Sequence, residues 1–321
     1  MFNKCLVLTG MLFVVSQAMA GEFTTLHKFD GVNGAVPYGS VILDNGTLYG
    51  TTVNTNATHT YGTVFSLKAD GSDFTTLKSI TASSDGTNVY NGLTLVSGTL
   101  YGITRIGGAN NLGTLFKLGT DGSNYSLAHS FAGGSDGANP YSAPALYNNK
   151  LYGLTYSGGT NSVGTLYEHD LATAQTQIVH SFSSPGASPF GSLTPVGEWL
   201  YGMTSDHVNS TNYGNIFRYK PSDDTYEVVH SFAGTTSGGY PYDSLVWDGG
   251  TWAYGTTLGY YGAAGLDDEG VVFRLNIQTN AYEVLHDFSA QTGDGAKPNS
   301  SMLLGEDGLL YGIAHGNETW G

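Results

Sequence analysis

Apolar residues in this chain come in short runs that alternate with small polar ones and are broken by clusters of Gly, Asn, Asp and Ser. The stretch from Leu151 to Phe182, LYGLTYSGGTNSVGTLYEHDLATAQTQIVHSF, shows the pattern whole. Its period of two predicts strands at Leu151 to Thr155, Gly164 to His169 and Gln177 to Phe182, with a fourth upstream at Ser142 to Tyr147. Outside the first twenty residues no window sustains a 3.6-residue apolar period, so helices are not expected.

The pattern repeats. The glycine closing an L-Y-G signature falls at Gly50, Gly102, Gly153, Gly202, Gly255 and Gly312, roughly every 50 residues. A G-T-x-F-like strand follows at Gly62 to Phe65, Gly113 to Phe116, Gly164 to Tyr167, Gly214 to Phe217 and Gly270 to Phe273. An L-H-x-F-like strand comes next at Leu26 to Phe29, Ala128 to Phe131, Val179 to Phe182, Val229 to Phe232 and Leu285 to Phe288, and in worn form at Leu77 to Ile80. A proline then opens the following strand at Pro37, Pro140, Pro189, Pro241 and Pro298, where a missing N–H costs least. Four strands in about 50 residues is the size of one propeller blade. The expected fold is all-β: a β-propeller of about six four-stranded blades. A parallel β-helix would need rungs about half as long.

Labelled A to D from the centre outward, the strands give each blade a polarity. Asn45-Gly46, Ser97-Gly98, Asp248-Gly249 and Asp307-Gly308 make the A–B links, and Asp70-Gly71 and Asp121-Gly122 lie in C–D links. Such pairs supply the positive φ of type I′ hairpins. One face is then tightly stitched, and the opposite face carries the long, variable B–C and D–A loops, where binding residues concentrate. The N-terminal strand Phe23 to Phe29 is a D strand without its A, B and C. The last module supplies A (Asn299 to Leu304) and B (Leu309 to Ile313) and no C. The N-terminal strand is expected to complete this last blade, hiding its edge. The missing C strand suggests a fragment of a longer protein with seven or eight blades.

Residues 1–20 have the layout of a secretory signal peptide: Lys4, an apolar stretch from Cys5 to Val15, and Ala18-Met19-Ala20. Residues 21–321 are then the propeller repeat domain, its last repeat incomplete. The only cysteine, Cys5, leaves with the leader, so the fold must be stable without disulfides. The chain carries 11 basic and 26 acidic residues, a formal charge of −15, and loss of Lys4 makes it one unit more negative. That balance argues against nucleic acid and anionic membrane surfaces and is compatible with neutral sugars, cations or a basic protein. A monomer without a membrane span, secreted or held in a bacterial envelope or periplasm, is expected.

At L-Y-G-T-T (Leu48 to Thr52), G-T-V-F-S-L (Gly62 to Leu67) and S-D-G-A-N-P (Ser135 to Pro140) the chain resembles the GloVer-type tandem repeats of secreted "choice-of-anchor" bacterial proteins. The resemblance covers essentially the whole mature chain. It implies an exported, surface-associated, propeller-like array without established activity, usually with a C-terminal sorting segment. Strand order and period also resemble kelch propellers.

Candidate chemistry is sparse. His27, His129, His180, His230 and His286 recur at one position of the outermost strand, in phase with the following Phe. Separate blades would hold them far apart, so they read as structural, hydrogen-bonding within or between sheets. Asp136 and Asn139 lie in a D–A loop, echoed by Asp85 with Asn88 and by Asp294 with Asn299. Such carboxylates are good turn residues and also candidate Ca²⁺ ligands around a central channel. The B–C loop Leu258 to Glu269 gathers Tyr260, Tyr261, Asp267, Asp268 and Glu269, either a sugar-stacking platform with acceptors, a cation site, or a solvated acidic loop. His59, His207 and His315 fall in other B–C loops, and His59 and His315 become neighbours if six blades close. No H-x-H or H-x₃-H spacing supports a metal site there. Metalloprotease, serine-hydrolase, P-loop and dinucleotide motifs are missing, and with only three arginines, Arg105, Arg218 and Arg274, a rich anion clamp is not expected.

These observations point to a non-enzymatic module that holds carbohydrate or protein on its long-loop face, with no cofactor required. Two alternatives stay open. One is a polysaccharide hydrolase or lyase, which would need two carboxylates about 5–10 Å apart at the channel mouth. The other is a plain structural spacer of a surface protein.

Overall fold

Alternating strands with glycine-rich turns fold into successive four-stranded meanders. The computed structural model describes residues 24–53, 61–206, 212–234, 237–259, 269–288, 295–298 and 300–315. The first sheet runs β1 (Ile42–Asp44), β2 (Thr47–Thr52), β3 (Thr63–Lys68) and β4 (Thr75–Ser79), each antiparallel to the next. The second repeats it with β5 (Thr94–Val96), β6 (Thr99–Thr104), β7 (Thr114–Gly119) and β8 (Ser126–Ser130). In the third, β9 (Ala138–Pro140) pairs with β11 (Lys150–Ser157) beside the ordered strands β10 (Ala145–Tyr147), β11, β12 (Thr165–Asp170) and β13 (Gln175–Ser181).

The fourth sheet has β14 (Thr194–Val196), β15 (Trp199–Thr204), β16 (Asn215–Lys220) and β17 (Thr225–Ser231), and the fifth β18 (Val246–Trp247), β19 (Trp252–Thr256), β20 (Val271–Asn276) and β21 (Tyr282–Asp287). Two small pairs end the chain: β22 (Ala296–Pro298) with β25 (Ala314–His315), and β23 (Leu303–Leu304) with β24 (Leu310–Tyr311). The only helical turns among the described residues are the 3₁₀ turns Ser83–Asp85 and Gly134–Asp136. None of their helices is long and apolar enough to cross a membrane. The chain divides into two compact units, one of described residues up to Leu151 with His169–Thr176, the other of Tyr152–Glu168 with residues from Gln177 onward.

The two repeated signatures explain each other. The L-Y-G glycine stands opposite the G-T-x-F aromatic in the register: Gly50↔Phe65, Gly102↔Phe116, Gly202↔Phe217, Gly255↔Phe273. A Cβ on Gly102 would lie 2.4 Å from the Phe116 ring, and one on Gly255 2.4 Å from Phe273. The ring therefore lies over the glycine, which no other residue permits. A register shift just before the aromatic, between Leu115 and Phe116 for example, adds the local twist that a bulge brings. The core sits between consecutive sheets. Tyr49 and Val64 of the first pack with Leu100, Phe116 and Leu118 of the second, and Tyr201 and Ile216 of the fourth with Phe273 and Leu275 of the fifth. Under the core, threonine hydroxyls pair across the strands, Thr52 with Thr63 at 2.7 Å and Thr104 with Thr114 at 2.8 Å, so these buried groups are satisfied.

Local details depart from the sequence expectation. Asn45-Gly46 (φ 46° and 75°) and Ser97-Gly98 (47° and 77°) are the expected type I′ hairpins, and Asn148-Asn149 (47° and 60°) is a third. At the other Asp-Gly pairs only the glycine has positive φ. There the aspartate side chain captures nearby N–H groups, Asp70 from Ser72 and Asp121 from Ser123 at 2.9 Å, and Asp248 from Gly250 at 2.7 Å. These are Asx turns, which the same dipeptide also favours. The prolines do not open the innermost strands. Pro140 closes β9 and Pro298 closes β22, and strand A starts several residues later, so it is only two or three residues long. Leu26 and Phe29 pack on Leu48, Phe65 and Leu67 of the first sheet, and Lys28 between them takes part in a single bridge.

Candidate functional site

Asp136 belongs to its own loop. His129 Nε2 lies 3.0 Å from both carboxylate oxygens, and the Ala132 N–H donates to Oδ2 at 2.8 Å. The second sheet's D–A counterpart one repeat earlier is the ion pair Lys78–Asp85 at 3.5 Å. The D-strand base and the D–A acid, separate candidates in the sequence, are thus one clamp tying the outer strand to the loop after it. Asn139 is left-handed (φ 54°); its N–H donates to Leu112 O at 2.7 Å and its Nδ2 to Arg105 O at 3.1 Å. Glu269 lies 3.9 Å from Lys297 Nζ. His315 pairs with Ala296 through the backbone of β25. His59, Tyr260, Tyr261, Asp267, Asp268 and Asp294 lie outside the described residues, as do His207, Asn299 and the signal peptide. Among the described residues no group of three or more His, Cys, Asp or Glu is placed to hold a metal ion.

The repeated histidines form a second set of contacts. Three of them lie flat on a ring at or just before the outer strand of the following sheet: His27 on Phe74 at 3.7 Å, His180 on Tyr226 at 3.9 Å, His230 on Tyr282 at 3.8 Å. For His129 that position holds Thr176, and the imidazole pairs with Asp136 instead. Lys78 keeps the geometry as a cation over Tyr125 at 4.3 Å. The phenylalanine two residues on meets the same imidazole edge-on, as Phe232 does His230 at 5.2 Å. The next sheet's tyrosine then reaches back to the D–A loop, Tyr125 donating to Asp85 O at 2.7 Å and Tyr282 to Ser237 O at 2.6 Å. Burial holds His180, His230 and His27 below the ordinary imidazole range, the charge of Asp30 partly opposing it at His27. Uncharged rings suit stacking, and the role is packing.

The residues that could meet a ligand lie at the other end of the module. After four of the five repeated prolines (Asn299 follows Pro298), and after Val89 in the second module, stands an aromatic: Tyr38, Tyr90, Tyr141, Phe190 and Tyr242. Each follows by two a left-handed residue, Val36, Asn88, Asn139, Ser188 or Tyr240, which turns the chain out of the loop toward strand A. In one unit Tyr38 and Tyr90 meet edge-on at 5.8 Å and Tyr90 lies 6.1 Å from Tyr141. Tyr38 is 65% exposed and the other two are half-buried, so this arc meets solvent. Within the other unit Tyr156 contacts Phe190 at 5.0 Å, and Phe190 stacks on Tyr242 at 4.3 Å. Beside Tyr242, burial raises the Asp243 carboxyl, which accepts from Ser244 N–H at 2.8 Å and from Ser301 Oγ.

Arg105 reaches into the first arc from the end of β6. Its guanidinium carbon lies 4.6 Å from the Tyr141 ring centre and 5.8 Å from that of Tyr90. Asn88 O accepts the Arg105 N–H at 3.1 Å and Asn139 Nδ2 holds its carbonyl, so two D–A loops fix its backbone. Sequence reasoning passed over this arc. The signal is an aromatic two residues past the left-handed position in five of the modules, which by itself is equally the start of a strand.

Comparison with known proteins agrees with this architecture. The Gloeobacter/Verrucomicrobia repeat matches residues 7–212 and 200–321. No curated protein matches the sequence. Among solved structures the chain is similar to an extracellular domain of a one-component system from B. thetaiotaomicron, with TM-score 0.61, 14% identity, and coverage of 91% of this chain and 34% of that one. The extracellular domain of a hybrid two-component system from B. thetaiotaomicron gives 0.59 at 14% identity, covering 91% and 33%. The chain thus spans about a third of the length of those domains. A chain of a nidogen/laminin complex gives 0.51 at 12% identity, covering 78% and 82%. At such identities the likeness concerns the fold alone.

Proposed function

The chain belongs to the Gloeobacter/Verrucomicrobia repeat family, and on that premise we propose that it is an extracellular β-propeller that binds carbohydrate on its long-loop face. Residues 1–20 serve as the export signal and residues 21–321 as the propeller domain, each four-stranded sheet being one blade. The N-terminal strand completes the final blade. The layout of residues 1–20 supports the location.

The observation that carries the reading is the arc Tyr38, Tyr90 and Tyr141, rings kept at the protein surface where packing alone would bury them. Aromatic faces suit the C–H faces of sugar rings, and nearby backbone and amide groups supply the few polar contacts that orient a ligand. Neutral sugars also fit a protein of formal charge −15, which repels polyanions. The test is a glycan array probed with the mature chain, followed by titration of any hit into the Tyr90→Ala/Tyr141→Ala variant. Binding by wild type and its loss in the variant are expected; silence across the array overturns the proposal.

A further inference from the structure

The three arginines occupy two kinds of setting. Arg218 and Arg274 each lie over a tryptophan, Trp199 at 4.2 Å and Trp252 at 4.1 Å, and each is held by a glutamate, Glu227 and Glu283, through Nε at 2.7 Å and a terminal nitrogen at 2.6 Å. Their charge and fork of donors are spent within the sheet. Arg105 has the aromatic half of this arrangement without the acid. Its Nε is buried and makes no hydrogen bond, and no carboxylate pairs with it among the described residues. In a protein so rich in acid, a guanidinium packed against two tyrosines with no described acid beside it keeps its charge unneutralised by the fold.

Resting on the carbohydrate reading above, we propose that this arc recognises a sugar bearing a carboxylate, a uronic acid set among neutral sugars, with Arg105 as the carboxylate-binding residue. The tyrosines stack the sugar ring, and the guanidinium takes the carboxylate through its planar fork. The surrounding negative charge disfavours densely charged polymers, so the ligand carries its acid groups sparsely. At the last repeat the equivalent position is His315, and at the others Val53, Tyr156, Ser205 and Leu258, so the acid-reading residue is peculiar to the second module.

The experiment titrates the mature chain with a neutral oligosaccharide capped by one glucuronic acid and with the same compound as its methyl ester. Wild type is expected to prefer the acid by about tenfold to a hundredfold, the range of a charge-assisted hydrogen bond. Arg105→Gln is expected to bring that ratio to about one, and Arg105→Lys, which keeps charge but not the fork, to an intermediate value. The wild-type comparison needs no variant to fold. Equal affinity for acid and ester overturns the inference while leaving the carbohydrate reading standing. Binding of neither compound, with none on the array, overturns both. Capture of a carboxylate-bearing peptide in preference to the sugar acid also overturns it.

Discussion

The module makes aromatic contacts at both ends, and the two ends differ in how they repeat. At the outer strands the contact barely changes: an imidazole or its lysine replacement lies flat on the following ring, an edge-on phenylalanine closes it in His27, His180 and His230, and the ring's hydroxyl reaches back to the loop in Tyr125 and Tyr282. At the inner ends the aromatic recurs but its companion does not, being Arg105 at Tyr141 and Tyr156 at Phe190. Packing favours the same solution because each sheet meets a similar neighbour, and His129, for which Thr176 stands where the other repeats carry a ring, turns to Asp136 instead. A ligand meets only particular repeats. Repetition with constancy therefore marks structure, and repetition with a variable partner marks recognition.

The sharpest break of the outer contact is Phe232→Ala. Phe232 is 5% exposed and meets Phe273 at 5.6 Å, so truncation should cost about 3–5 kcal/mol in urea denaturation. The inner counterpart, Tyr90→Ala with Tyr141→Ala, should lower glycan binding by about 2 kcal/mol in calorimetry while moving stability by less. His230→Ala should cost about 1 kcal/mol of stability, the value of a stacked pair beyond its area.

Acid separates the ends further. The folded values of His180 and His230 lie below the unfolded value of 6.5. Their neutral forms thus favour the fold fully above about pH 6.5, and that contribution is lost as pH falls through the folded values. Denaturation midpoints should drop between pH 7.5 and pH 5, and His230→Phe should flatten the drop. The smallest effect is at the approach to the first arc. Val36 is β-branched and left-handed at φ 57° and is 54% exposed, so Val36→Asn should raise stability by about 0.5–1 kcal/mol by thermal melts.

The sheets were legible because the cues were local and repeated: alternation gave the strands, and L-Y-G with G-T-x-F gave their order. Pairing of Gly102 with Phe116 was not, since neither motif states its register. Asp121-Gly122 read as a type I′ hairpin because the dipeptide serves two turn types, and only the fold shows the carboxylate on Ser123 N–H. The phase of His230 with Phe232 suggested a hydrogen-bonding structural ring; the imidazole instead stacks on Tyr282, a whole module away, and its buried Nε2 has no hydrogen-bond partner among the described residues. Arg105 was one of three arginines in the sequence. What sets it apart is that no acid among the described residues pairs with it, and an unmade ion pair leaves no trace in a string of residues.

The contrast between the ends reduces to measuring melting temperature and glycan affinity together on two double variants, His180→Ala/His230→Ala and Tyr90→Ala/Tyr141→Ala. The account predicts that the first pair lowers the melting temperature and leaves affinity intact, and that the second does the reverse. Equal loss of melting temperature from both pairs, with affinity following it, would contradict the assignment of the inner arc to recognition.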